Sequence, residues 1–195
     1  MRKIEQGPSH WVDLLPPDDP RAIAITRGLV AKRYFFSDEE YGHVLSGVVV
    51  ACVDIALQRE SDGHFLLGVR ANEPFRGGLA FTGGRMRPGE SFHDSALRHA
   101  MRDFGLELSP DRFVVVRTDS WAWSKRAQSP QDAGCHMTGT TLYAELCAEE
   151  DRRVKLLGDS TELAWMSAGR ILGDPVVHPN HKAAVRDILA GRFQS

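Results

Sequence analysis

Arg70, Arg85, Asp103 and the pair Gly83-Gly84 are the residues of this chain whose types suit phosphate chemistry. Guanidinium groups present planar donor forks that meet phosphate at two points and stabilise charge on a departing diphosphate. Taken singly, each arginine reads equally as a surface residue at a strand end. Asp103 offers a hard oxygen donor, and one carboxylate with a backbone carbonyl would leave room around Mg²⁺ for water and substrate phosphate. Its alternative is a solvated charge on the polar side of a helix. Phe75, Trp121 and Trp123 can stack a base or cover a sugar, or fill the ends of core strands. His136 and His178 can act as proton acceptors, or as hydrogen-bonded structural histidines.

The stretch that must position this set is GGRMRPGESFHDSALRHAMRDFGL, Gly83 to Leu106. Its two leading glycines lack Cβ and allow close backbone approach to a ligand, as in a turn. After Ser91, Phe92, Ala96, Leu97, Ala100, Met101 and Phe104 recur at three- and four-residue intervals, which predicts one buried helical face. Asp94, Arg98, His99, Arg102 and Asp103 then form the polar face, and Gly105 ends the helix.

This stretch resembles the box of the Nudix hydrolases, Gx5Ex7REUxEExGU with U aliphatic. Gly84, Glu90, Arg98, Gly105 and Leu106 fall at its spacings, whereas His99, Arg102 and Asp103 stand where the box has three glutamates. The GDP-mannose mannosyl hydrolase branch similarly keeps only the last of these carboxylates. FLLGVRANEP (Phe65 to Pro74), the interval from Arg70 to Arg85, Asp54 within CVDIAL, and VHPN (Val177 to Asn180) extend the resemblance over residues 37–193. It implies a Nudix-type α/β/α sandwich with a central mixed sheet. It also implies Mg²⁺, with Mn²⁺ as the alternative, held by the Gly83 carbonyl, Asp103 and Asp159. By the resemblance Asp54, Arg70 and Arg85 would bind substrate, and Arg98 would order the box by pairing with Glu90; Trp123 joins the substrate-binding set as an aromatic face for stacking, not from the resemblance. The branch places its histidine base where this chain has Ser160, and a hydroxyl does not titrate near neutral pH. Loss of a general base costs roughly 10²–10⁴-fold in rate. A shifted loop would bring Asp159 or Glu162 into the role.

The flanking chain reads as strands and helices around this core. A helix is expected from Ser37 to Leu45, capped by Ser37 with Glu40. Strands are expected over residues 47–58, 64–70, 79–82, 113–120, 138–147 and 163–166. Residues 121–137 read as a polar loop, 167–172 as a helical turn, and 181–192 as a closing amphipathic helix. Residues 1–36, with prolines around Trp11, Leu14 and Leu15, read as an N-terminal extension that docks on the core or on a second subunit.

Composition narrows the function further. Lys plus Arg number 24 against 26 Asp plus Glu, which removes the electrostatic signature of a nucleic-acid binder. Three cysteines without a CxxC pair argue against a disulfide framework or a zinc site, and for reduced thiols in the cytoplasm. No apolar run approaches the ~20 residues of a membrane span. The expected activity is Mg²⁺-dependent hydrolysis of a nucleoside diphosphate linked to a second group, foremost a GDP-mannose or GDP-glucose type nucleotide sugar, by a homodimer. By the resemblance water would attack the anomeric carbon with inversion; attack at phosphorus stays open. The rival from another class is a nucleotide-binding or sensor protein with weak catalysis, since fold alone does not fix function.

Overall fold

A computed structural model describes residues 36–194 of the chain. The expected N-terminal arm, Phe36 apart, and any dimer contact it makes lie outside the described residues. The main compact unit comprises residues 36–86 and 90–194 of these, and Arg87 to Gly89 group apart from it. In chain order the elements are α1 (Asp38–Leu45), β1 (Val49–Arg59), β2 (Phe65–Arg70), β3 (Leu79–Ala80), β4 (Thr82–Arg85) and α2 (Phe92–Phe104). They continue with β5 (Val114–Trp123), β6 (Cys135–Leu146), α3 (Ala148–Arg153), β7 (Ser160–Met166), α4 (Ala168–Gly173) and α5 (Pro179–Leu189).

The long β-branched strand β1 is central. It runs parallel to β6 in continuous register from Val49 opposite His136 to Arg59 opposite Leu146. It also pairs antiparallel with β2 and β4. The sheet order is β3-β2-β1-β6-β5, with β4 beside β1 and β7 beside β2, so the sheet is mixed. Side chains alternate along β1. Val53, Ile55 and Leu57 pack with Ala96, Ala100 and Phe104 of α2. Ala56 packs instead with Phe65, Leu67 and the α5 residues Ala184, Val185 and Ile188. Helices therefore cover both faces of a mixed sheet, the expected α/β/α sandwich.

Local chemistry sets the ends of the helices. Ser37 and Glu40 form a reciprocal capping box on α1, as do Ser91 and Asp94 on α2. Gly105 ends α2 in the left-handed conformation at φ 68°. The buried stripe of α2 differs from the expected one. Phe92 and Met101 are exposed, while Ser95, Ala96, His99, Ala100, Asp103 and Phe104 face inward. Two adjacent i, i+4 rows, which carry the small residues Ser95, Ala96 and Ala100, let the helix lie close to glycine-bearing β4. That closeness turns His99 and Asp103 inward.

Three further expectations change. Gly83-Gly84 belongs to strand β4 rather than to a turn, with Gly83 opposite Asp54 and Gly84 opposite Val53. Residues 121–137 are not one loop, because β5 continues to Trp123 and β6 begins at Cys135, leaving 124–134 between them. Cross-strand pairing of Trp121 with Met137 and of Trp123 with Cys135 extends the ladder there. The closing helix begins at Pro179, N-capped by the His178 ring, two residues before the expected start. Among the described residues no helix is long and apolar enough to cross a membrane.

Candidate functional site

A cleft of about 340 Å³ opens over the face of β1 that carries Cys52 and Asp54. Its floor is built by register. Asp54 lies opposite Gly83, and a Cβ at Gly83 would run into the Val53 carbonyl and the Asp54 side chain. Only glycine permits that approach. Asp54 is half-buried, and burial pushes its carboxyl up to about 7 against the opposing pull of Arg70. Such a group exchanges a proton near neutral pH.

Arg70, Arg85 and Arg102 all border the cleft. The Arg70 Nε donates to the Pro74 carbonyl at 2.7 Å, which directs its guanidinium along the loop after β2. Arg85 lies over the Tyr41 ring, 3.8 Å from guanidinium carbon to ring centroid, a cation–π contact with α1. Arg98 pairs with Glu90 at 2.5 and 2.7 Å and donates to the Arg85 carbonyl at 2.8 Å, so it ties the segment before α2 to the end of β4.

An aromatic cluster also lines the cleft. His178 lies 4.9 Å from Trp123, 5.1 Å from Phe75 and 5.9 Å from Trp121, centroid to centroid. Phe75 holds φ 69°, an uncommon conformation for an aromatic residue, and its ring fills the space a Cβ at Gly78 would need. The indole nitrogens of Trp121 and Trp123 and the Thr82 hydroxyl are buried without partners among the described residues, although all three residues line the cleft. Buried polar atoms are ordinarily satisfied, so these three suit a polar ligand.

The histidines considered as bases are differently placed. The Nδ1 of His178 accepts the Asn180 N–H at 3.3 Å, which leaves its proton on Nε2. Burial and Arg70 lower its pKa, so it offers the cleft a donor rather than a base. His136 bonds to the Ser120 hydroxyl at 2.8 Å and lies outside the cleft lining. Asp159 and Ser160 border the cleft, whereas Glu162 does not. Ser160 pairs with Arg70 across β2 and β7, its hydroxyl packed on Gly68.

Arg126 is a participant that residue-type reasoning passed over. It is fully buried, and its guanidinium donates to the Pro130 and Gly134 carbonyls and the Ser46 hydroxyl, each at 3.1 Å. It thereby holds the 124–134 loop against the end of α1 and contributes to the cleft wall. Arginine is usually a surface residue, and no local pattern marks this one as buried.

Solved structures resemble this chain at the level of fold. The MutT protein from Methanosarcina mazei Go1 is 17% identical, with 73% of this chain and 95% of that one covered and a TM-score of 0.58. A Nudix hydrolase from Nitrosomonas europaea is 18% identical, with 75% and 92% covered and a TM-score of 0.58. The Nudix domain of Shewanella oneidensis NrtR, complexed with ADP-ribose, is 16% identical, with 73% and 89% covered and a TM-score of 0.55. The fold is that of the Nudix hydrolases. No family model matches the chain. A curated relative, the low-salt glycan biosynthesis protein Agl8 of Haloferax volcanii, is 32% identical over 72 residues, 37% of this chain and 45% of its own length. The match thus spans less than half of that relative.

Within this Nudix fold two of the three expected metal donors, the Gly83 carbonyl and Asp103, are already engaged. Arg102 lies between two of them, its Nε donating to Asp103 Oδ1 at 2.5 Å and its Nη2 to Asp103 Oδ2 at 2.8 Å and to the Gly83 carbonyl at 3.0 Å. Asp103 is 1% exposed and does not line the cleft. Burial raises its pKa, opposed by Arg102 and reinforced by the charge of Asp159. A Cβ on Gly158 would collide with the Asp103 carboxylate, so the chain closes over that group from the other side. His99 is buried, neutral and 4.0 Å from Asp103, its pKa lowered to about 3 by burial and by Arg102 and Arg98. No group of three His, Cys, Asp or Glu residues able to hold a metal occurs among the described residues. The set Gly83, Asp103 and Asp159, as folded, does not fit a divalent ion. The physical reason is the guanidinium that already satisfies both the carboxylate and the carbonyl.

Proposed function

We propose that the cleft binds and hydrolyses a nucleoside diphosphate joined to a second group, in first place a nucleotide sugar of the GDP-mannose or GDP-glucose type. The observation that carries this reading is the convergence of Arg70, Arg85 and Arg102 with Asp54 and the aromatic cluster on one cleft. Guanidinium forks would hold the diphosphate and neutralise it as it leaves. The faces of Trp121 or Trp123 would take the flat base, and their unpartnered indole N–H groups would meet its polar edge or the sugar. Asp54, poised near neutral pH, would accept the proton of the attacking water, a role for which Ser160 is chemically unsuited. The name of the Haloferax relative, a glycan biosynthesis protein, adds weight to a sugar as the second group. Incubation with a panel of nucleotide sugars, with products resolved by chromatography, tests the proposal. Free sugar and nucleoside diphosphate are the expected products, and an intact panel after exhaustive incubation stands against hydrolysis.

Two observations favour a second reading, a nucleotide-binding protein without turnover: Arg102 closed on Asp103, and serine at position 160. That reading predicts calorimetric binding of the same panel with no product formed. The proposed enzyme is a homodimer, and a light-scattering mass at the monomer value would remove that part of the account.

A further inference from the structure

We propose that Arg102 is a tethered cation that replaces a divalent ion in this cleft, so that diphosphate recognition here needs no added metal. The inference rests on the cleft being a diphosphate site. The geometry is specific. One guanidinium contacts the Gly83 carbonyl and both oxygens of Asp103, two neighbouring acceptors that an oxygen-seeking cation would otherwise share. These contacts use Nε and Nη2, while Nη1 has no partner among the described residues. Nη1 lies 3.8 Å from where a Cβ on Gly84 would sit, beside the glycine strand.

Burial gives the pair a direction. The Arg102 side chain is 40% exposed and lines the cleft, while Asp103 behind it is 1% exposed. The positive end therefore faces the space a ligand would enter, with its counter-charge fixed on the far side. The nearby groups reinforce this arrangement. Arg98 is committed to Glu90, and His99 is neutral and fills the space beneath Gly84. A divalent ion entering between the Gly83 carbonyl and Asp103 would have to displace the guanidinium or bear its charge at contact distance, where like charges repel strongly. A ligand phosphate meets the opposite situation, an oriented guanidinium whose placement is already fixed by the fold.

Two measurements separate this inference from the functional reading beneath it. Mn²⁺ binding is followed by the electron paramagnetic resonance signal of the free ion, for the wild type and for Arg102→Glu. GDP binding is followed by calorimetry in EDTA and in excess Mg²⁺, for the wild type and for Arg102→Gln. The wild type is expected to leave the Mn²⁺ signal unchanged and to bind GDP equally well under both conditions. Arg102→Gln is expected to weaken GDP binding in EDTA by roughly ten- to a hundredfold, the range of a charge-assisted hydrogen bond. Arg102→Glu, which sets a second carboxylate beside Asp103 and the Gly83 carbonyl, is expected to acquire Mn²⁺ binding. Stoichiometric Mn²⁺ binding by the wild type overturns the inference, as does GDP affinity that appears only with Mg²⁺. Full GDP affinity in Arg102→Gln reduces Arg102 to a structural link and overturns it as well. A wild type that binds neither GDP nor Mn²⁺ fails the diphosphate reading instead. Circular dichroism of each variant identifies loss of fold, and the wild-type measurements decide the matter even if Arg102→Glu does not fold.

Discussion

Asp54→Asn should make the protein more stable and less active. In the folded protein the Asp54 carboxyl titrates at about 7 against 3.8 for the free side chain, because burial disfavours its charge. The native state therefore holds a proton that the unfolded state has released anywhere between those values. Stability falls as pH rises through that window, and the penalty is complete above the folded value. Roughly 3 units at about 1.4 kcal/mol each set a ceiling near ~4 kcal/mol, and water reaching the cleft floor reduces this to about 2 kcal/mol. Asparagine keeps the shape and carries no charge, so at pH ~8 the variant should unfold about 4–8 °C higher, taking ~2–4 °C per kcal/mol for a chain of this size. At pH ~3 the difference should nearly vanish, because Asp54 is protonated in the folded wild type and largely so in the unfolded chain. Thermal unfolding followed by circular dichroism at both pH values measures this directly. Turnover should drop by roughly 10²–10⁴-fold if Asp54 accepts the proton from water. An equal increment at both pH values, or none above neutrality, would refute the assignment of a desolvated charge at the cleft floor.

Arg126→Met removes the donor that satisfies the carbonyls of Pro130 and Gly134 and the Ser46 hydroxyl. Stranded buried acceptors cost about 1–3 kcal/mol each, and with partial rescue by water a loss near ~3 kcal/mol and ~6–12 °C in the unfolding midpoint is expected by calorimetry. A midpoint equal to that of the wild type would show that the 124–134 loop is held by other contacts. Arg85→Lys keeps the charge and loses the fork, so kcat/KM should fall by about ten- to a hundredfold in steady-state assays. A change confined to KM would assign Arg85 to uniform substrate binding rather than to the leaving group.

Much of this fold is legible in the chain because its signals are local. Ser91 with Asp94 at the start of α2, Gly105 at its end and the β-branched run of β1 each state their structure within a few residues. The positions of Asp54, Arg70 and Arg85 on one cleft follow from the spacing of the resembling motifs, and Trp123 beside them from its residue type, although the register that joins them is a property of the sheet. What stayed hidden depends on three-dimensional closeness. Helical periodicity identifies rows but not which row meets glycine-bearing β4, so His99 and Asp103 read as members of the polar face when they are buried. Arg102 reads as a box position with the wrong charge, and its grip on Asp103 and Gly83 emerges only once β4 lies beside α2. Arg126 is buried among carbonyls contributed by a loop too irregular to carry a pattern. The tryptophans of residues 121–123 lie in a stretch whose polar tail suggests a loop, whereas pairing with β6 extends the strand.

Hydrolysis of a nucleotide sugar at this cleft, with Asp54 activating water, is the proposed reaction. Turnover of GDP-mannose and GDP-glucose in ¹⁸O-water, with mass analysis of both products, tests it most directly. Label is expected in the released sugar and not in the nucleoside diphosphate, with loss of labelled product in Asp54→Asn. Label in a phosphate would move the attack to phosphorus, and binding with no labelled product would contradict the claim of catalysis.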